Sequence, residues 1–131
     1  MAESALACVA RVAASNPIIP SLLDEAGVGE AVMKLMKMYL NHKGCHINGC
    51  IALNTIAKNS VDICSKLGEK GACNTLAQSL KCHWGTAEVA AQGCETVATF
   101  ARGHKKNREQ FSITGTCELV SIIRIIKTIL I

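Results

Sequence analysis

The stretch EAGVGEAVMKLMKMYL, residues 25–40, reads as an amphipathic helix set behind a glycine. Val28, Val32, Leu35 and Met36 fall on one stripe, with Glu30, Lys34 and Lys37 off it. The glycine that precedes this helix, Gly27, recurs as Gly71 and Gly115, at a constant interval of 44 residues. Matching sequence travels with it. The same shift superimposes Ala13, Ala57 and Ala101, pairs Gly49 with Gly93, Cys50 with Cys94 and Cys73 with Cys117, and aligns Leu23, Leu67 and Phe111. A helical period of this length signals a stacked α-helical array, and such arrays bind other macromolecules along an extended face.

Working outward from that helix, each period resolves into a short helix, a glycine break and two longer helices. In the first period the second helix is expected to run from residue 28 to about 40. In the next, residues 61–67 form the short helix, Gly68 and Gly71 end it, and residues 72–82 and 86–102 form the longer two. Val9, Val12 and Ala13, then Leu53, Ile56 and Ala57, then Val97, Phe100 and Ala101 recur at equal offsets on the third helices, so all are expected in one core. The fold class is all-α. The chain is a single domain, 1–131, divided as 1–15 (a third helix), 16–59, 60–103 and 104–131 (a partial unit).

Composition narrows the classes of function. Half of the 131 residues are apolar but only 3% are aromatic, so the core is built from Ala, Val, Leu, Ile, Met and Cys and helix packing is close. A net charge of +4 favours acidic partners weakly and falls short of a nucleic-acid binder. Residues 1–16 carry Glu3 and Arg11 in an Ala-rich helical pattern, unlike a secretion signal. Residues 119–131 are very apolar, yet that is 13 residues holding Arg124 and Lys127, whereas a bilayer span needs about 20. The expectation is a cytoplasmic or nuclear protein with no membrane span.

The stretches EAGVGEAVMKLMKMYL, GCIALNTIAKN (residues 49–59) and NREQFSITGTCELVSII (residues 107–123) resemble armadillo repeats, and the resemblance covers nearly the whole chain. It implies a right-handed superhelix of about three units whose third helices line a groove for a protein or peptide partner. It also implies an interaction face of Arg11, Asn48, Ile51, Thr55, Lys58, Gln92, Glu95, Thr99 and Arg102. One departure is informative. The asparagine ladder that grips peptide backbone in nuclear-import adaptors falls here on Arg11, Thr55 and Thr99, while Asn54 points about 100 degrees away. That argues against a nuclear-transport-type adaptor and leaves a scaffold for a protein or peptide partner, which the net charge weakly favours being acidic.

Eight cysteines and four histidines raise a metal hypothesis, densest at Cys45, His46, Cys50, Cys82 and His83. No C-x-x-C pair is present, and the period explains the thiols as core filling. Cys50 and Cys94 replace Leu6, Cys8 replaces Ala52, Cys45 replaces Val89, and Cys82 replaces Met38. No metal or cofactor is expected, with Cys50, Cys73 and Cys94 buried. Trp84 aligns with Leu40 and is expected to cover the core edge.

His104, Lys105, Lys106 and Arg108 form a basic cluster expected in the turn after a third helix. It is a possible contact for a phosphate or acidic group. An RNA or phospholipid module using it with Lys58 and Arg102 is the alternative from another class. With one Trp, one Tyr and two Phe, the chain lacks the stacking residues that RNA-reading repeats use. No phosphate loop, H-E-x-x-H or nucleophile elbow occurs, and adjacent Cys-His pairs diverge on a helix, so no enzymatic activity is expected. Ile122 and Ile125 stand where Lys34 and Lys37, then Gln78 and Lys81, stood. Two solvated positions have become apolar, which predicts that residues 119–131 pack against another copy of the chain, in self-association, or against a partner or a further repeat.

Overall fold

A computed structural model describes residues 1–102 and 104–130, without the side chains of Ile122 and residues 125–130. Ile122 and Ile125, expected as self-association positions, therefore lie outside the described residues. Among the described residues every regular element is an α-helix: α1 (Ala2–Ala14), α2 (Ile19–Glu25), α3 (Val28–Met38), α4 (Lys43–Ala57), α5 (Val61–Glu69), α6 (Ala72–His83), α7 (Ala87–Ala101), α8 (Lys105–Ile113) and α9 (Thr116–Leu130). None is long and apolar enough to cross a membrane.

The period in the sequence reappears as a period in backbone geometry. Gly27, Gly71 and Gly115 have φ of 77°, 101° and 76° and stand between the short helices α2, α5 and α8 and the longer helices α3, α6 and α9. A side chain is disfavoured in that left-handed region, so glycine recurs where the chain must turn sharply from one helix into the next. The starts of the short helices repeat too. Asn16, Ser60 and His104 occupy the same position of the period. Asn16 Oδ1 accepts from the Ile18 N–H, Ser60 Oγ from Ile63 and His104 Nδ1 from Asn107, each satisfying an amide at a helix start.

Helix α4 lies between α1 and α7, backed by α3 as α7 is backed by α6, and α6 in turn lies between α3 and α9. The approach of the longer helices is close because of two period-related glycines. A Cβ on Gly49 would sit 2.6 Å from Met36, and one on Gly93 would sit 2.6 Å from Leu80. Met36 and Leu80 are themselves one period apart and wholly buried. The core runs without a break from Leu6 and Ala13 of α1 through Met36, Leu53, Ile56, Leu67, Leu76 and Phe100 to Phe111 and Ile123. Each large side chain buried there contributes about 1.5–3 kcal/mol.

Several expectations are corrected. Gly68 does not end the short helix, because α5 continues through it to Glu69; its missing side chain makes room for Asn107 Oδ1, which a Cβ would meet at 2.0 Å. Helix α3 stops at Met38, short of residue 40. Val12 is 44% exposed although its period equivalents Ile56 and Phe100 are buried, because α1 is first in its row and no described helix packs on that side. Trp84 is 51% exposed, just past the end of α6.

Candidate interaction face on α1, α4 and α7

Positioning of this face follows from the row of packed helices. Arg11, Lys58, Glu95 and Arg102 are exposed, while Asn48, Ile51, Thr55, Gln92 and Thr99 are half-buried between neighbours. The two threonines are engaged internally. Thr55 Oγ1 donates to the Ile51 carbonyl at 2.8 Å, one turn back on its own helix, and Thr99 Oγ1 donates to Asn54 Oδ1 across the α4–α7 junction. Each keeps acceptor capacity but has committed its proton. Asn54, set aside by the sequence reading, thus joins two members of the face. Its signal was a polar side chain at a position that is alanine in the other periods, Ala10 and Ala98.

The charges of the molecule divide unevenly. Lys66 pairs with Asp24 at 2.7 Å, Lys70 with Glu30 at 2.5 Å and Lys105 with Glu109 at 4.0 Å. The Lys66 ammonium is held above its usual range by its hydrogen bond and charge pairing with Asp24. Among the described residues no ion pair involves Arg11, Lys58 or Arg102. A small cavity of about 180 Å³ opens beside Lys58, bounded by Ala13, Asn16, Pro20 and Thr55. A larger, open hollow of about 630 Å³ lies beside Arg11, lined by Ser4, Ala7, Cys8, Val12 and Ser15.

The basic cluster is not in a turn. His104 caps α8, and Lys105, Lys106 and Arg108 lie within that helix. Arg108 Nη1 donates to the Ala101 carbonyl at 3.0 Å, tying α8 to the end of α7. With His104 capping and Lys105 beside Glu109, Lys106 is the member left without a described internal role.

Of the cysteines, Cys45, Cys50, Cys64 and Cys73 are buried, but Cys94 is only half-buried and Cys8, Cys82 and Cys117 are exposed. The core-filling reading therefore fails for the three exposed cysteines, while Cys94 packs against the core without being fully buried. Burial pushes the Cys50 thiol up to about 12 and the Cys73 thiol to about 11, so both stay protonated at neutral pH. Among the described residues no three metal-ligating side chains converge.

Of the dense Cys/His group, His46 and His83 do meet, with ring centroids 4.7 Å apart. His46 Nδ1 is 2.7 Å from Ser79 Oγ, and His83 Nε2 is 2.6 Å from the Leu40 carbonyl, a link from α6 to the end of α3. His46 Nε2 is buried with no hydrogen-bond partner among the described residues. Burial, then the neighbouring His83, lowers the His46 pKa, against the backbone carbonyls of Tyr39, Met36 and Leu40. The folded protein thus binds a proton at His46 less readily than the unfolded chain, whose histidines titrate near about 6.5. Stability from this group is present above that pH and is lost as pH falls below it. Urea midpoints are expected to drop between pH 7.5 and pH 5.5, and to drop less in His46→Gln; an equal slope in the two proteins would count against the assignment.

No family model, curated protein or solved structure matches this chain.

Proposed function

We propose that this chain is an armadillo-like scaffold, a right-handed superhelix of 44-residue units that binds an acidic protein or peptide segment along α1, α4 and α7. In this reading it has no catalytic role and acts by holding a partner. The observation that carries the proposal is the distribution of charge. Arg11, Lys58 and Arg102 are exposed along one row of helices without an internal anion among the described residues; Lys34, Lys37, Lys43, Lys81 and Lys106 are also exposed and without an ion pair, so it is the shared row that sets these three apart. Glu95 is the single acid among the face residues. Exposed cations of this kind draw an acidic chain in and set its register. The internally bonded Thr55 and Thr99 offer it acceptors rather than a backbone-gripping ladder.

The test compares an acidic peptide, a basic peptide and single-stranded RNA at two salt concentrations, with the unmodified chain and with K58E/R102E. The acidic peptide binds best, and the double reversal weakens it by about 30-fold, two charge reversals at about 1 kcal/mol each. Preference for the basic peptide returns the nuclear-transport type of adaptor, and preference for RNA returns the nucleic-acid module. Unchanged acidic-peptide affinity with an unchanged circular dichroism spectrum removes this face from consideration.

A further inference from the structure

We propose that the buried pair of His46 and His83 is a proton-operated latch: with both rings charged, the last turn of α6 parts from the end of α3 while the rest of the chain stays folded. The pair closes the seam between the first two units. His46 belongs to α4, packed on α3, and His83 to α6 of the next unit. Their ring centroids are 4.7 Å apart, with 1% of His46 and 8% of His83 exposed. Ser79 Oγ, also buried, lies 2.7 Å from His46 Nδ1, and His83 Nε2 reaches the Leu40 carbonyl at 2.6 Å. A carbonyl only accepts, so neutral His83 carries its proton on Nε2 and takes a second on Nδ1.

Helix packing does not require these groups. His46 stands where Ala2 and Ala90 stand in the other periods, Ser79 where Leu35 and Ile123 stand, and His83 where Tyr39 stands. At the second seam Ala90 and Ile123 fill those places as buried apolar side chains. A polar cluster at one seam, with a ring nitrogen unsatisfied among the described residues, weakens a core that alanine and isoleucine fill elsewhere. What it adds is a response to protons.

The closed seam has no place for two cations. Around the pair, Glu3 of α1 lies 3.8 Å from His42, and Glu88 at the start of α7 and Glu118 of α9 are exposed. Lys37 and Tyr39 at the end of α3, Lys43 of α4, Lys81 and Cys82 of α6 and Arg124 of α9 are exposed as well, and burial keeps the Cys45 and Cys50 thiols protonated. Helices α2, α5 and α8 meet α4 and α6 at their opposite ends, beside Thr55 and Gly71. Burial and then His83 disfavour a proton on His46, and what offsets them is backbone carbonyls rather than a carboxylate. The closed form therefore binds protons less readily than the open one, and falling pH opens it, below the usual histidine value of about 6.5.

The end of α6 is free to move. A Cβ on Gly85 would meet nothing within 4 Å, and Trp84 before it is 51% exposed. The other bonds across this seam, Lys66 to Asp24, Lys70 to Glu30 and Thr96 to the Cys50 carbonyl, are made from α5, its C-cap and α7, so the units stay joined as the last turn of α6 swings out. The loss of stability assigned to His46 above belongs to the whole fold; the latch is local and needs both rings. Because residues 84–86 lead into α7, acid would also shift the face residues of α7 against those of α4. That last consequence alone rests on the acidic-partner reading.

Hydrogen exchange of the full chain between about pH 7.5 and about pH 5.5, corrected for intrinsic rates, reads the opening residue by residue. On acidification, protection of residues 80–86 should fall at least about 10-fold further than that of residues 50–56, the equivalent of one unit of proton affinity. Trp84, the one tryptophan of the chain, should shift its emission over the same range. His46→Gln should abolish both changes. His83→Gln keeps a donor for the Leu40 carbonyl but removes the second charge, and should cut the opening at least about 3-fold. His42→Gln, at an exposed histidine, should behave as the unmodified chain does. Should His46→Gln fail to fold, His46→Ala with Ser79→Leu supplies the residues of the other periods and should stay closed in acid. Equal loss of protection along the whole chain, opening that survives removal of His46, or a response unchanged in His83→Gln would each overturn the proposal. No partner enters the experiment, so its outcome is separate from that of the binding face.

Discussion

Valine at both Gly49 and Gly93 leaves the chain largely unfolded at room temperature. Each glycine lies where a longer helix meets the one behind it, and an added Cβ would stand 2.6 Å from Met36 or Leu80. Both obstructing side chains are wholly buried, so neither can move aside into solvent. Overpacking of this kind costs about 1–3 kcal/mol per site and more when the backbone must separate, so two valines remove about 6 kcal/mol. That is comparable to the whole stability of an ordinary domain, about 5–15 kcal/mol. Gly44→Ala is the control: there a Cβ meets only the carboxylate end of Glu3, a half-exposed side chain that can move aside. It should be neutral or gain up to about 1 kcal/mol of helix propensity. Urea denaturation of Gly93→Val with and without Leu80→Ala settles the cause, since trimming Leu80 should recover part of the loss. Simple additivity of the two changes would show that the clash is not with Leu80.

Asn107→Asp is expected to lose about 3–5 kcal/mol at pH 8, the cost of a buried charge without a partner. Asn107 is 2% exposed, and its Nδ2 donates to the Phe100 carbonyl at 2.9 Å and to the Cys64 carbonyl at 3.1 Å. A carboxylate there has no proton to give and faces two carbonyl oxygens. Its pKa is therefore raised on folding, so the deficit is largest at high pH and shrinks as pH falls and the carboxyl protonates. The direction is opposite to that of His46, and denaturation curves of the variant and the unmodified protein should converge on acidification. Asn107→Leu, which leaves the same carbonyls without a donor but introduces no charge, should lose about 2–4 kcal/mol with no such convergence.

These two sites show where sequence reading carries and where it stops. The left-handed glycines and the helix order were legible because they depend on neighbours within one period: Gly27, Gly71 and Gly115 each act on the two helices they join. Asn107 was not. It stands where Ile19 and Ile63 stand in the other periods, and a break in an apolar column was the available signal, but its partners are seven and 43 residues away. The cysteines failed for a related reason. The period predicts burial as if every unit had neighbours on both sides, so Cys50 in the middle of the row is buried while Cys8 and Cys94 at its ends are not. On the face itself, the residues were identified from the alignment, but the bond from Thr99 to Asn54 depends on how α4 and α7 pack, which no periodicity specifies.

The two junctions between units are cemented differently. Across the first, ion pairs of Asp24 with Lys66 and Glu30 with Lys70 add to the bonds from His83 to the Leu40 carbonyl and from Thr96 to the Cys50 carbonyl, whereas across the second Asn107 holds Cys64 and Phe100 with neutral groups out of contact with water. In a quasi-one-dimensional chain, cooperativity is the product of such nearest-neighbour couplings. Dissolved salt weakens the first coupling and leaves the second untouched. Ionic strength therefore tunes one seam and not the other, and only at its rim: it trims the first coupling by a little at each pair while the buried bonds and the continuous core keep the units melting together.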